Sequence, residues 1–438
     1  MDVAAVTPVR GPLDAVVRLP GSKSLTNRAL VCAALARGHS VLEGVLLADD
    51  TETMLDGLRR LGIPITVDAA ASRATVEGCG GALPGRAAGA RLDARLSGTT
   101  SRFLLPVLGL GPGPIRLDGA PPLRARPMED GIAALRALGA EVREEGEPGH
   151  LPVVVRGGVS PAEPGAAVGG TPVELVVKGD ASSQFLSGLL MVAPALSTGL
   201  RVRVGGRLVS RPYVDMTAAV MRAFGAAATT GTSDGERTWV VAPGGYTAAT
   251  YPVEPDASAA SYFFAAAAIC GGRVTVDGLG KDSLQGDLAF VDLLERMGCR
   301  VERGATATTV EGTGPLAGID ADLADLSDTA PTLAAVAVFA RSPTRLRGIG
   351  FIRAKETDRV GNVVRELRRC GIEAEEEDDG LLVRPGTPHP ARVETYHDHR
   401  MAMSFALLGL RSPGIEIADP GCVAKTFPGY WAALARLG

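Results

Sequence analysis

Two apolar stretches open with cations where a helix would begin. GSKSLTNRALVCAALA, from Gly21, carries Lys23 and Arg28, and SGTTSRFLLPVLGL, from Ser97, carries Arg102. A positive charge in the first turns of a helix faces the positive end of the backbone dipole, an unfavourable placement by about 0.3–1 kcal/mol. Repeating it makes sense when an anion lies in front of the helix, held jointly by backbone N–H groups and side chains. The same logic extends to Arg126 in RARPMED, Lys355 and Arg359 in AKETDR, Arg400 in DHRMAM and Lys425 in AKTFPG, all at or next to expected helix starts. A single surface Arg or Lys ordinarily belongs to a solvated charged face. These sit beside Gly, Pro and apolar helices instead, which points to a basic pocket for small, multiply charged anions.

Acids accompany the cations: Asp328 at the start of an apolar run, Glu356 beside Lys355, and Asp398 beside His399. Alone, Asp328 reads as an N-cap and Glu356 as half of a surface ion pair. Among several cations a carboxylate stays ionised unless buried, so it is available as a base. Motifs of other chemistries are missing: there is no GxxxxGK[ST], no HExxH and no GxSxG. The five histidines show no metal-ligand spacing beyond the close pair His397 and His399, and no metal is expected.

Bulk composition sets the frame for these residues. The chain has 438 residues, too many for one ordinary core, and is 46% hydrophobic and 21% charged, as in a globular protein with ample core material. Its 45 basic and 49 acidic residues give a net charge of −4, which argues against a broad nucleic-acid or lipid footprint. The six cysteines are far apart with no CxxC, and each lies in or beside an apolar stretch, so buried reduced thiols are expected. The first twenty residues hold no apolar signal core, and the longest apolar runs are about half of what a membrane span needs. A cytoplasmic enzyme, monomeric by default, is the expectation.

The elements that position the charged residues follow from an internal repeat. Six segments open with one or more small polar or charged residues and continue as a long apolar run, starting at Gly21, Ser97, Gly179, Pro255, Leu326 and His397. A second series interleaves: amphipathic helices run into glycine at Leu61-Gly62, Leu138-Gly139, Phe224-Gly225, Met297-Gly298, Cys370-Gly371 and Leu437-Gly438. Glycine just past a helix end is the expected terminator. Alternating segments such as EVREE, LPVVVRG and GRVTVDGLG read as strands. Each unit therefore reads as strand–helix–strand–helix–strand–strand, and six such units divide into two α/β domains of three. The first helix of each unit is apolar nearly all round and should be buried.

Seven motifs, in order along the chain, carry a family resemblance: LPGSKSLTNRAL, ASSQF, SRPYVDMT, EPDASAASYF, KETDR, YHDHRMAM and AKTFP. From Leu19 to Pro428 the chain resembles the enolpyruvyl transferases, in their branch acting on shikimate 3-phosphate. That resemblance implies an inside-out α/β barrel fold of two domains, 20–253 and 1–19 plus 254–438, with the active site in the cleft between them. It implies that shikimate 3-phosphate meets Lys23, Ser24, Arg28, Ser182, Ser183, Ser210, Asp328 and Lys355, with Gln184 and Tyr213 alongside. Phosphoenolpyruvate would be held by Lys23, Gly98, Thr99, Arg126, Gln184, Arg359, Arg400 and Lys425. The implied reaction is addition then elimination, with no cofactor and no covalent enzyme intermediate: Asp328 receives the hydroxyl proton, Glu356 handles the proton at C3, and Lys23 assists the leaving phosphate.

Departures from the family pattern are Leu96, where an Asn is usual, Phe351, where many members have an Asn touching the shikimate ligand, and Phe103, where some have Pro. A branch acting on UDP-N-acetylglucosamine shares the repeat architecture but usually carries a reactive Cys, and Gly119–Arg126 has none. A paralogue acting on a modified shikimate is a further reading, kept open by Phe351. A non-catalytic binder of sugar phosphates would have no reason to hold Asp328 and Glu356 together.

Overall fold

Five of the expected helix terminators govern how the chain turns. In the computed structural model, which describes residues 2–159, 171–179, 182–233 and 236–437, Gly62 follows the helix Asp49–Arg60 at φ +86° and Gly298 follows Phe290–Arg296 at φ +107°. Gly139, Gly225 and Gly371 take the same left-handed role, which a side chain with a Cβ adopts only at a cost. The sixth terminator, Gly438, and Asp180 of the third apolar run lie outside the described residues.

The chain forms two compact units, Gly21–Val253 and Met1–Pro20 with Glu254–Gly438. Each contains three sheets and its own apolar core. Three of the six sheets follow the chain in the simplest way. Arg91–Asp93 runs parallel to Ile115–Asp118, which pairs antiparallel with Val153–Arg156, itself antiparallel to Glu141–Glu144. The same order recurs with Val173–Lys178, Leu200–Gly205, Glu236–Val241 and Ala228–Ser233, and with Asp320–Asp322, Thr344–Arg347, Gly380–Val383 and Ala374–Glu377.

Two sheets exchange their leading strands. Leu13–Arg18 precedes the helix Lys23–Leu35 but pairs with Gly272–Asp277, the strand after the helix Ala257–Cys270. In return, Thr250–Pro252 precedes Ala257–Cys270 but pairs with Ala36–Glu43, the strand after Lys23–Leu35. The sixth repeat departs from the six-part pattern: its sheet has three strands, and Val3–Ala5 lies antiparallel to Ile415–Ala418 in place of a following strand. That pairing covers N–H and C=O groups an open edge would expose.

The first helix of each repeat is buried, as its composition demands. Every residue of Gly98–Leu108 and of His399–Gly409 is buried, and each large apolar side chain so placed stabilises the fold by about 1.5–3 kcal/mol. Buried helices leave only their ends to meet ligands, so the chemistry concentrates there. Cys32, Cys299 and Cys370 are buried, while Cys79, Cys270 and Cys422 are half-buried; all six are free thiols. Burial pushes the Cys32 thiol up to about 12. Among the described residues no helix is long and apolar enough to cross a membrane.

Candidate active site

In the unit Gly21–Val253 the site residues sit at helix starts. Ser22 caps the helix Lys23–Leu35 by accepting from the Leu25 N–H at 3.4 Å, and Lys23, its first residue, reaches Asp50 at 3.3 Å. Asp50 is only 4% exposed. As one of three acids in the first turn of the helix Asp49–Arg60, it reads in sequence as a complement to the helix dipole, so its role beside Lys23 was not foreseen.

Ser182 caps Ser183–Val192 and accepts from the Gln184 N–H at 3.2 Å. The Gln184 side chain bridges two neighbours, accepting from Arg102 at 2.8 Å and donating to Thr99 at 3.1 Å. Arg102 also donates to the Pro127 carbonyl at 3.3 Å and lies 4.7 Å from the Phe185 ring centre. It therefore fastens three segments that carry expected ligand contacts. Arg126 lies so close over Gly98 that a Cβ there would come within 2.7 Å of its guanidinium.

Arg28 is placed differently from a simple surface anion binder. It is 1% exposed, donates to Thr217 Oγ1 at 2.7 Å, to the Tyr213 carbonyl at 3.1 Å, to the Ser24 carbonyl at 2.9 Å and weakly to Ser187, and lies against the Phe103 and Tyr213 rings. Burial lowers its pKa to about 10. Ser210, in the left-handed region at φ +53°, opens the helix Arg211–Ala223, whose first turn holds Tyr213.

The other unit gathers four cations and three carboxylates into one network. Asp328, on the turn Ser327–Thr329, accepts from Lys355 at 2.7 Å, Arg359 at 3.3 Å and Arg400 at 2.5 Å. Glu356 pairs with Arg359 at 2.9 Å and Lys425 at 3.1 Å. Asp398 holds Arg359 through two bonds of 2.7 and 3.0 Å, and also caps His399–Gly409 by accepting from the Arg400 N–H at 2.9 Å. Burial opposes the charge of Arg359, but Asp398, Glu356 and Asp328 together hold its pKa above the ordinary arginine value. Burial lowers the Lys355 pKa, with Asp328 opposing the shift. The Lys355 ammonium also lies 5.6 Å from the centre of the Phe351 ring, a cation–π distance.

All five expected cations beyond the first three lie on turns or helix starts, although Lys425 ends the 3₁₀ turn Pro420–Lys425 instead of opening a helix. Removing one partner from such a buried ionic network typically costs about 3–5 kcal/mol. Among the described residues no group of three or more His, Cys, Asp or Glu is arranged to hold a metal ion. His397 Nδ1 instead meets Asp419 at 2.7 Å.

Residues 8–434 match the family model described as EPSP synthase (3-phosphoshikimate 1-carboxyvinyltransferase). The 3-phosphoshikimate 1-carboxyvinyltransferase of Trichormus variabilis is 45% identical, over 100% of this chain and 99% of that protein. The enzyme of the same name from Methanoculleus marisnigri is 43% identical, over 97% of each chain. Among solved structures, EPSP synthase from Acinetobacter baumannii superposes with a TM-score of 0.80 at 27% identity, covering 99% of this chain and 98% of that one. The enolpyruvyl transferase NikO from Streptomyces tendae shares the fold, with a TM-score of 0.72 at 21% identity.

Proposed function

The chain belongs to the EPSP synthase family and performs enolpyruvyl transfer in the shikimate pathway, and from that premise we propose how its two clusters divide the work. Shikimate 3-phosphate engages Lys23, Ser24, Ser182, Ser183, Gln184, Ser210 and Tyr213 from one unit and Asp328 and Lys355 from the other. Arg28 belongs to this subsite as well, and it also holds two of its residues, Ser24 and Tyr213, through their carbonyls. Phosphoenolpyruvate engages Lys23, Gly98, Thr99, Arg126 and Gln184, together with Arg359, Arg400 and Lys425. The two substrates bring two phosphates and two carboxylates, roughly −5 to −6 of charge when each phosphate carries −1.5 to −2.

The observation that carries this reading is the sharing of cations around Asp328 and Glu356. Before substrate, these carboxylates neutralise Lys355, Arg359, Arg400 and Lys425. An arriving phosphate or carboxylate competes for the same cations and loosens their hold on both acids. Asp328 then takes the proton of the shikimate 5-hydroxyl as its oxygen attacks C2 of phosphoenolpyruvate, while Glu356, protonated from solvent once substrate has loosened Arg359 and Lys425 from it, passes that proton to C3. The reverse movement at C3, with Lys23 beside the departing phosphate, restores the double bond. Orientation and fixed positive charge supply the larger share of the acceleration.

Phosphate release from phosphoenolpyruvate tests the reading directly. It should require shikimate 3-phosphate and persist after exhaustive chelation. Release that is faster with UDP-N-acetylglucosamine would overturn the substrate, and activity lost on chelation but restored by a divalent ion would overturn the metal-free mechanism. Because the proposed ligands belong to two units, shikimate 3-phosphate plus a phosphoenolpyruvate-competitive inhibitor should reduce the radius of gyration seen by X-ray scattering. An unchanged radius would mean that ligands do not draw the units together.

A further inference from the structure

Two consecutive residues without glycine's freedom, Tyr396 and His397, sit in the left-handed region at φ +54° and +58°. Such a pair persists only where its surroundings hold it. It lies directly before Asp398 and Arg400, two members of the ionic network. Three contacts hold it. The Tyr396 hydroxyl donates to Glu366 Oε1 at 2.6 Å, the Glu394 N–H donates to Glu366 Oε2 at 3.0 Å, and His397 meets Asp419 at 2.7 Å.

Glu366 is fully buried on the helix Gly361–Arg369, and its Oε2 also meets Arg369 at 2.9 Å. A carboxylate kept out of water with both oxygens bonded is a stiff anchor. The same helix begins two residues after Arg359, so a short stretch of chain joins Arg359 to Glu366. The arginine that Asp398 grips precedes the helix's first turn, and its second turn carries the glutamate that grips the turn leading into Asp398. Asp419, also left-handed at φ +47°, opens the turn Pro420–Lys425, so the His397 contact extends the brace toward Lys425.

We propose that Glu366 and Tyr396 are positioning residues: their hydrogen bond clamps the left-handed turn and so sets the placement of Asp398 and Arg400 in the phosphoenolpyruvate subsite. The proposal rests on the functional reading above, because it names the substrate whose affinity the clamp controls. Neither residue is assigned contact with substrate.

Tyr396→Phe removes a single hydroxyl and keeps the ring, so the variant is expected to fold. Its KM for phosphoenolpyruvate should rise about 5- to 10-fold, as for one lost charge-assisted bond acting at a distance. KM for shikimate 3-phosphate should stay within about twofold. Equal rises in both KM values, or a lowered melting temperature with both unchanged, would reduce the pair to a general structural role and overturn the proposal. A second measurement stands apart from the functional reading. Amide hydrogen exchange at Arg400, whose N–H is held by Asp398, should quicken about tenfold in Tyr396→Phe, with the middle of the helix His399–Gly409 unchanged. An unaltered Arg400 amide overturns the clamp even if the wild-type enzyme turns over as proposed. A wild-type protein that releases no phosphate, with a quickened Arg400 amide in the variant, would instead fault the functional reading alone.

Discussion

Arg28 and the cluster around Asp328 hold their cations by opposite means. In Gly21–Val253 the buried Arg28 rests on two hydroxyls, carbonyls and the Phe103 and Tyr213 rings. In the other unit Lys355, Arg359, Arg400 and Lys425 all rest on carboxylates. A cation solvated by dipoles and rings keeps its field, and so continues to attract an anion. A cation paired with a carboxylate has lost much of that field but carries a proton acceptor beside it. The first arrangement suits binding. The second suits proton transfer timed by binding, since the acid is released only when substrate displaces it.

The comparison breaks most sharply at the acids. Glu356→Gln keeps size and much of the hydrogen bonding but removes the proton acceptor, so kcat should fall by ~10²-fold or more with far smaller changes in ligand affinity. The competing account is concrete, because Glu356 does pair with Arg359 and Lys425. If pairing is its whole role, the variant should raise KM or lower the melting temperature while kcat stays near wild type. The matched change in the other unit, Asp50→Asn beside Lys23, should weaken substrate binding about tenfold and touch kcat less. Equal effects at the two positions would erase the distinction between the units.

Arg126→Ala probes the binding side alone. One charge-assisted contact is removed from a multi-cation site, so KM for phosphoenolpyruvate should rise about 10- to 100-fold, or 1.4–2.8 kcal/mol. A variant that instead lost kcat with an unchanged KM would place Arg126 in the chemical step.

Much of this was legible in the sequence because its signals are local. The apolar runs, the glycines that end amphipathic helices and the cations opposing helix dipoles each act over one or two turns. Pairing between distant strands leaves no such trace, so the exchange of Leu13–Arg18 for Thr250–Pro252 could not be read from periodicity. Nor could the short sixth sheet, completed by Val3–Ala5 from the far end of the chain. Nothing near Arg28 in sequence shows that Thr217, 189 residues away, receives its Nε–H. Glu366, in VVRELRRCG, looks like an ordinary polar-face residue until the fold buries it.

The smallest expected effect is a shift along the pH axis, and it tests whether Lys355 belongs with the acids or with the ligand. Burial lowers the Lys355 pKa from the ordinary lysine value of 10.5, with Asp328 pulling the other way. Anion binding requires the charged amine, so its contribution to shikimate 3-phosphate affinity is complete below the folded-state pKa and is lost as pH rises through it. The alkaline rise in KM for that substrate should therefore begin below 10.5. Folding stability follows the opposite sign: between the folded and unfolded values the unfolded chain binds more protons, so this group's penalty shrinks as pH rises across that window. Lys355→Arg keeps a charge that does not titrate in this range. It should move the limb in KM to higher pH, a few-fold difference near its midpoint, even if the fork fits the site less well and raises KM throughout. A limb that stays at the same pH in Lys355→Arg would assign the titration to another group and leave Lys355 as a partner of Asp328 alone.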